Sequence, residues 1–235
     1  NDTTVPAATP DSGVRLENGA RIVTTGGGDI EITGRSQNGG TGVSIEAGGS
    51  PSLPGTAPVV QGSRNVVLRA VNDGSTDAIV IGTPVSAANA INLRPGGMDA
   101  NFVVSDATNA PIVLGGAGTG GFSVSSAEFA RLAAPTIVAG SATHAADITV
   151  AGAIATPGAL TLQNDAGGNI AVNGTVGASQ LGLLSDGRIT QSAAGAITAT
   201  GLLARSSGAS VDLQNPANNV ATVSGGAEGC LLYTS

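Results

Sequence analysis

Asp29 and Glu31 stand two residues apart, the closest that this 235-residue chain comes to a hydrolytic carboxylate pair. Cleavage of a glycosidic bond needs two carboxyl groups facing each other across the substrate, one protonating the leaving oxygen and one acting as base or nucleophile. In Asp29-Ile30-Glu31-Ile32-Thr33, polar and apolar residues alternate, which sets both acids on one outer face of a single strand. Glu46 is a third acid with no opposing partner nearby in sequence. A solvated strand face is therefore the expectation for all three. Trp is absent and Tyr occurs once, so aromatic platforms for stacking a sugar ring are scarce.

His144 is the only histidine, within Ser141-Ala142-Thr143-His144-Ala145-Ala146. Acid–base or metal chemistry would need partners for it, and the single cysteine, Cys230, is remote in sequence. It reads as a solvent-facing residue of a bend. Asn72-Asp73-Gly74-Ser75-Thr76-Asp77 is the most oxygen-rich loop, but it lacks the terminal Glu of an EF-hand loop. The other aspartates do not recur at the fixed tandem spacing of calcium-binding nonapeptides, so an ordinary polar turn is expected. The Gly pairs are not phosphate loops, because no Gly-Lys-Ser/Thr follows them. No catalytic, cofactor-binding or metal residue is assigned, and no cofactor is implied.

Composition narrows the partners. The 9 basic residues are scattered and outnumbered by 16 acidic ones, for a net charge of −7. A phosphate-tracking surface needs a concentrated basic stripe, which argues against nucleic acid and against a polybasic membrane contact. No apolar run reaches the roughly 18 residues needed to span a bilayer. Asn1 is expected to be internal to a longer product.

The elements that must position any site are short. Hydrophobic residues make up 41% of the chain, yet almost all are Ala, Val, Ile and Leu, which suits a narrow core of stacked identical layers. Glycine supplies 37 residues, without the G-X-Y period of collagen. A charged fraction of 11% and a mean hydropathy of +0.25 exclude a simple disordered chain. Runs such as Asp29–Thr33, Asn65–Val71, Asp147–Val150, Ala159–Gln163 and Ser210–Gln214 alternate in and out, separated by turns rich in Gly, Asn, Asp and Ser. Inward positions are expected at Ile148, Val150, Leu160, Leu162, Ile170, Val172, Leu183, Ile189, Ile197, Val211 and Leu213. Their neighbours Thr149, Thr161, Thr190, Thr198 and Asp212 are expected to face solvent. Only Ser125–Leu132 reads as a helical turn, with Ser125 or Ser126 as its cap, Glu128 early in it, and Phe129 and Leu132 on one face.

About 19 short runs fit an all-β fold, a right-handed parallel β-helix with three short strands per coil. This gives roughly six or seven coils of about 20–35 residues and a rod of order 30 Å. Residues 1–12, with Pro6 and Pro10, are read as a linker or incomplete coil, 13–229 as the β-helix, and 230–235 as a foreign tail. That tail, Cys230-Leu231-Leu232-Tyr233-Thr234-Ser235, resembles the translation of an adapter used in short-read library preparation. It is expected to add nothing to the fold; the competing reading is a C-terminal strand.

The chain from Phe102 to Gly226, and more loosely from Ala20, resembles the repetitive exoproteins of the filamentous haemagglutinin type. The likeness rests on Gly121–Phe129 as a strand followed by one helical turn, then on Ile137–Gly140, Asp147-Ile148-Thr149-Val150, Gly158–Leu162 and Gly168-Asn169-Ile170. It continues in Gly187-Arg188-Ile189-Thr190-Gln191 and Gly195-Ala196-Ile197-Thr198-Ala199, similar to the family's G-x-I-T coil starts, and in the Asn-rich bend of Ala209–Asn219. The resemblance implies a secreted or cell-surface bacterial rod segment with a structural and adhesive role and no catalysis. It implies a host or neighbouring-cell receptor or glycan as partner, and an outer-membrane secretion partner for the full-length protein. The alternatives are an autotransporter passenger segment and a carbohydrate-active β-helix enzyme.

Overall fold

Apart from Ala90–Met98 with Val104–Asp106 and Ile112–Gly115 with Phe122–Ser125, the strands pair with strands about one coil away and not with their neighbours in sequence, so the ladders are set by stacking. The computed structural model describes residues 12–37, 39–47, 57–74, 76–98, 103–107, 109–116 and 121–233. The first coil runs through β1 (Val14–Leu16), β2 (Arg21–Val23) and β3 (Ile30–Arg35). The second uses β4 (Val43–Ile45), β5 (Val59–Gly62) and β6 (Asn65–Val71), and the third β7 (Ile79–Ile81), β8 (Val85–Ala87) and β9 (Ala90–Met98). An excursion follows through β10 (Val104–Asp106) and β11 (Ile112–Gly115). The fourth coil is β12 (Phe122–Ser125), the helical turn α1 (Ser126–Phe129), β13 (Leu132–Ala133) and β14 (Thr136–Gly140). The fifth is β15 (Ile148–Val150), β16 (Ile154–Ala155) and β17 (Ala159–Asn164).

In the next three coils the second and third faces merge into one long bent strand. These coils are β18 (Ile170–Val172) with β19 (Val176–Ser185), β20 (Ile189–Gln191) with β21 (Ile197–Ser206), and β22 (Val211–Leu213) with β23 (Asn219–Ala227). β24 (Leu231–Tyr233) opens a ninth coil. The result is the expected right-handed parallel β-helix. Its eight coils, at about 4.8 Å each, stack to roughly 38 Å, longer than the count of sequence runs suggested. Among the described residues, every ladder is parallel except the pairing of β10 with β9.

Alternation and stacking together make the core. On the third face Ile30, Val66, Ile91, Ile137, Leu160, Leu181, Leu202 and Val223 stand in register from coil to coil. The first seven are buried, whereas Val223, on the last rung, is 42% exposed. Each such aliphatic side chain contributes about 1.5–3 kcal/mol when fully buried. All eleven residues expected to point inward are buried, and Thr149, Thr161, Thr190, Thr198 and Asp212 are not.

Corners carry a second kind of column. Asn164, Ser185 and Ser206 are in register and buried. Ser185 Oγ donates to Gly168 O at 2.6 Å, and Ser206 Oγ donates to Gly187 O at 2.7 Å. Each thus satisfies a carbonyl of the preceding corner, as a buried backbone group requires. Asn164 Nδ2 donates likewise to Ala146 O and Asn169 O. Close stacking also explains Gly195, where a Cβ would come within 1.9 Å of Val172 O.

The coil order is broken once. β11 precedes β12 in the chain but lies above it, pairing with β12 on one side and β15 on the other. Below, β12 adjoins β7 through the Asp77–Gly121 bridge and the bond from Ala78 N to Gly121 O. The first face therefore gains a rung, and α1 packs against β11, β12 and β16 at that level. Of the two serines that the sequence offered, Ser125 caps α1, and it forms a reciprocal box with Glu128. Glu128 Oε1 also accepts the backbone N–H of Ile81 at 2.9 Å, tying the cap to the coil below. Phe129 is buried on α1, but Leu132 belongs to β13 and not to a helical face.

Two further expectations are corrected. The stretches beginning at Gly187 and Gly195 do not start two coils; Ile189 lies on the first face and Ile197 on the second face of one coil. The tail is not outside the repeat: Leu231, Leu232 and Tyr233 pair in parallel register with Val211, Asp212 and Leu213. Residues 1–11 of the expected linker, with Phe102, Thr234 and Ser235, lie outside the described residues.

Candidate functional site

The carboxylates singled out by sequence are tied to basic or hydroxyl partners. Asp29 accepts from Arg64 Nε at 2.8 Å and from Arg64 Nη2, and also from the backbone N and Nδ2 of Asn65 at 3.1 and 3.0 Å. The Arg64 hydrogen bonds, aided by Asn65, hold its carboxyl down to about 2. Glu31 accepts from Arg69 Nη1 and from Thr33 Oγ1, and Glu46 accepts from Ser44 Oγ at 2.8 Å. Asp29 and Glu31 are both exposed on β3 and its approach, as alternation indicated. Glu31 and Asp106 are brought to one guanidinium, that of Arg69, which binds both.

Two of the arginines that are scattered in sequence share a charge network around the buried Arg69. Arg69 and Arg94 are register partners on β6 and β9. The Arg69 side chain is 10% exposed, and its Nε donates to Asp106 Oδ1 at 2.7 Å while its Nη1 reaches Glu31. Arg94 Nη1 lies 3.7 Å from Asp106 Oδ2. Two cations and two anions thus compensate one another, which a buried guanidinium requires. Asp106 arrives on β10, which folds back antiparallel along the end of β9 beyond Pro95. Proline has no N–H for a ladder, and the β9–β14 pairing stops at Leu93, so the excursion occupies that edge. Sequence reasoning missed this quartet because its members are far apart until register is known.

His144 corrects its expectation most sharply. It is 2% exposed, not a solvent-facing bend residue. Its backbone N donates to Ser141 O at 3.0 Å, and Ala166 N of the next corner donates to His144 O at 3.2 Å. The turn and the corner stacked on it enclose the ring. Nε2 has no protein hydrogen-bond partner. Burial lowers the imidazole pKa, and the negative charge of Asp106 opposes that shift.

The oxygen-rich loop is used in corner-to-corner contacts. Asn72 Nδ2 donates to Thr76 O at 2.6 Å and Gly40 O at 3.3 Å. Thr76 Oγ1 donates to Gly39 O, and Asp73 Oδ1 accepts from Gly39 N. Ser75 lies outside the described residues. A similar chain links Asp147, which accepts from Asn169 N and Nδ2, and Asn169, whose Oδ1 accepts from Arg188 N. Among the described residues, no group of three or more His, Cys, Asp or Glu converges as a metal site.

Comparison of the chain with protein-family models, with curated proteins and with solved structures finds no match.

One surface feature is an open recess on the outside of the third face. It runs over Gly182 and Gly201 between Thr161, Gln180, Leu203 and Thr222. The Gln180 side chain crosses the space above Gly201, where a Cβ would meet its Oε1 at 2.1 Å. Leu203 is 43% exposed beside it. This surface offers hydroxyls, an amide and aliphatic carbon. Among the described residues, no helix is long and apolar enough to cross a membrane.

Proposed function

We propose that this chain is a structural and adhesive rod segment of a large secreted bacterial surface exoprotein, without a catalytic role. One observation carries the reading: the acids and amides that chemistry would need are bonded from one coil to the next. Asp29 ties to Arg64 and Asn65, Asp147 to Asn169, and Asn169 to Arg188. Such bonds stiffen a stack whose coils otherwise depend only on their neighbours. The sequence resemblance to filamentous haemagglutinin-type exoproteins supports the adhesive half, with a cell-surface receptor or glycan as partner and an outer-membrane partner for export.

The experiment compares beads coated with the purified chain and blank beads for retention on bacterial and epithelial cell layers. The same protein is incubated with acidic polysaccharides and the release of reducing ends is measured. Retention above blank with no reducing ends supports the rod. Depolymerisation without retention overturns it in favour of a carbohydrate-active β-helix.

A further inference from the structure

We propose that the corner formed by residues 141–147 is an acid-responsive latch, in which protonation of His144 releases this corner from the one stacked above it. The inference starts from a buried ring with nothing to accept a second proton's hydrogen bond. His144 is 2% exposed and its Nε2 has no protein partner. An imidazolium there would add both a charge and a donor in an enclosed corner, an arrangement that costs several kcal/mol unless paired.

The acids of this corner and of the elements around it have other partners, although not through every oxygen. Asp106, on β10, is held by Arg69 Nε at 2.7 Å and by Arg94 at 3.7 Å, and Arg69 is shared with Glu31. Asp147, in the same corner, accepts from the backbone N and Nδ2 of Asn169. Asp165, in the corner above, accepts from Gln163 Nε2 at 2.8 Å through Oδ2, while its buried Oδ1 lies 3.6 Å from Arg205 and accepts no hydrogen bond. Burial is the larger influence and lowers the imidazole pKa, and the charge of Asp106 opposes it.

Opening is local because few bonds hold the corner. Within it Ala166 N donates to His144 O, Asn164 Nδ2 to Ala146 O and Asn169 to Asp147, and at its ends Ser141 N donates to Gln163 O and Ile112 N to Asp147 O. The strands on either side, β14 and β15, keep their own ladders. The closed corner holds the imidazole below its ordinary pKa of 6.5, whereas an opened corner takes a proton near that value. Closure is therefore fully favoured above about 6.5. It weakens as pH falls, by up to about tenfold per pH unit, until the pKa of the closed form is reached.

As the only histidine, His144 gives a single imidazole resonance that reports directly on the latch. The test follows that resonance from pH 8 to 4, together with amide exchange of 141–147 and Ala166 at pH 7.5 and 5.0, corrected for intrinsic rates. The wild type, His144→Gln and His144→Phe are compared. The expected result is a titration midpoint below 6.5 and about a tenfold loss of corner protection at pH 5.0 in the wild type only. A midpoint at or above 6.5, an unchanged wild-type corner, or the same acid loss in either variant overturns the latch. Should both variants fail to fold, the wild-type midpoint still decides.

Discussion

Arg69 and Arg94 stand in register on adjacent rungs, and one carboxylate, that of Asp106, lies against both. Like charges directly opposite one another in a sheet destabilise it, so this column depends on an acid brought from outside the ladder. The antiparallel strand β10 supplies it. Asp106→Asn should cost about 2 kcal/mol, because it leaves a buried guanidinium with Glu31 as its remaining counter-ion. Arg94→Gln should cost less than about 1 kcal/mol, since that pair is longer and more exposed. Thermal unfolding of both variants gives the comparison, and equal losses would contradict the assigned roles.

Leu162 and Thr161 are chain neighbours with opposite faces. Leu162 is fully buried between Ala139 and Leu183 of the flanking coils, whereas Thr161 lines the outer recess. Leu162→Asp should cost on the order of 3–5 kcal/mol by burying an unpaired charge, while Thr161→Asp stays within about 0.5 kcal/mol. Hydrogen exchange should confine the damage from Leu162→Asp to β14, β17 and β19. Comparable tolerance at both positions would mean that the register is shifted by one residue.

Asp29 gives stability an acid limb. Its carboxyl is held at about 2 in the folded chain against an ordinary 3.8. The contribution is complete above about 4 and disappears as pH falls toward 2, because the unfolded chain takes the proton first. Between those values the unfolding midpoint of the wild type should fall more steeply than that of Asp29→Asn. Parallel curves would show that the bonds with Arg64 and Asn65 contribute nothing.

Truncation tests the last rung. Leu231–Tyr233 pairs with Val211–Leu213, whose apolar members Val211 and Leu213 are buried. Removing residues 230–235 should increase amide exchange in β22 about tenfold or more while leaving coils one to five unchanged. An identical exchange pattern would restore the expectation that the tail lies outside the fold.

The sequence revealed strands where alternation was strong, as in Asp29–Thr33 and Asp147–Val150, and it revealed the cap of α1 through Ser125 and Glu128. It concealed most of the second face. Val59–Gly62, Val85–Ala87, Leu132–Ala133 and Ile154–Ala155 are two to four residues long, too short for a pattern, and their stability comes from partners a coil away. The coil count came out low for a related reason. Ala159, Gln180, Gly201 and Thr222 recur every 21 residues, but Ala90 and Thr136 are 46 apart because β10 and β11 intervene. Nothing in Ile112–Gly115 and Phe122–Ser125 signals that the earlier strand stacks above the later one. The burial of His144 was equally hidden, since the corner that covers it, at Ala166, is formed 22 residues later.

That inverted order of β11 and β12 makes the rod behave under tension as a zip with a stop. Drawn from its C-terminal end, the chain sheds one coil at a time, each by breaking a single layer of ladders. When β14 and β13 have peeled away, the next strand to leave is β12, wedged between β11 above and β7 below. It must part from both sides at once. Single-molecule pulling should therefore record several steps of similar force and then a distinctly higher one, after which the three N-terminal coils yield. A trace of uniform steps would mean that β11 gives no such resistance.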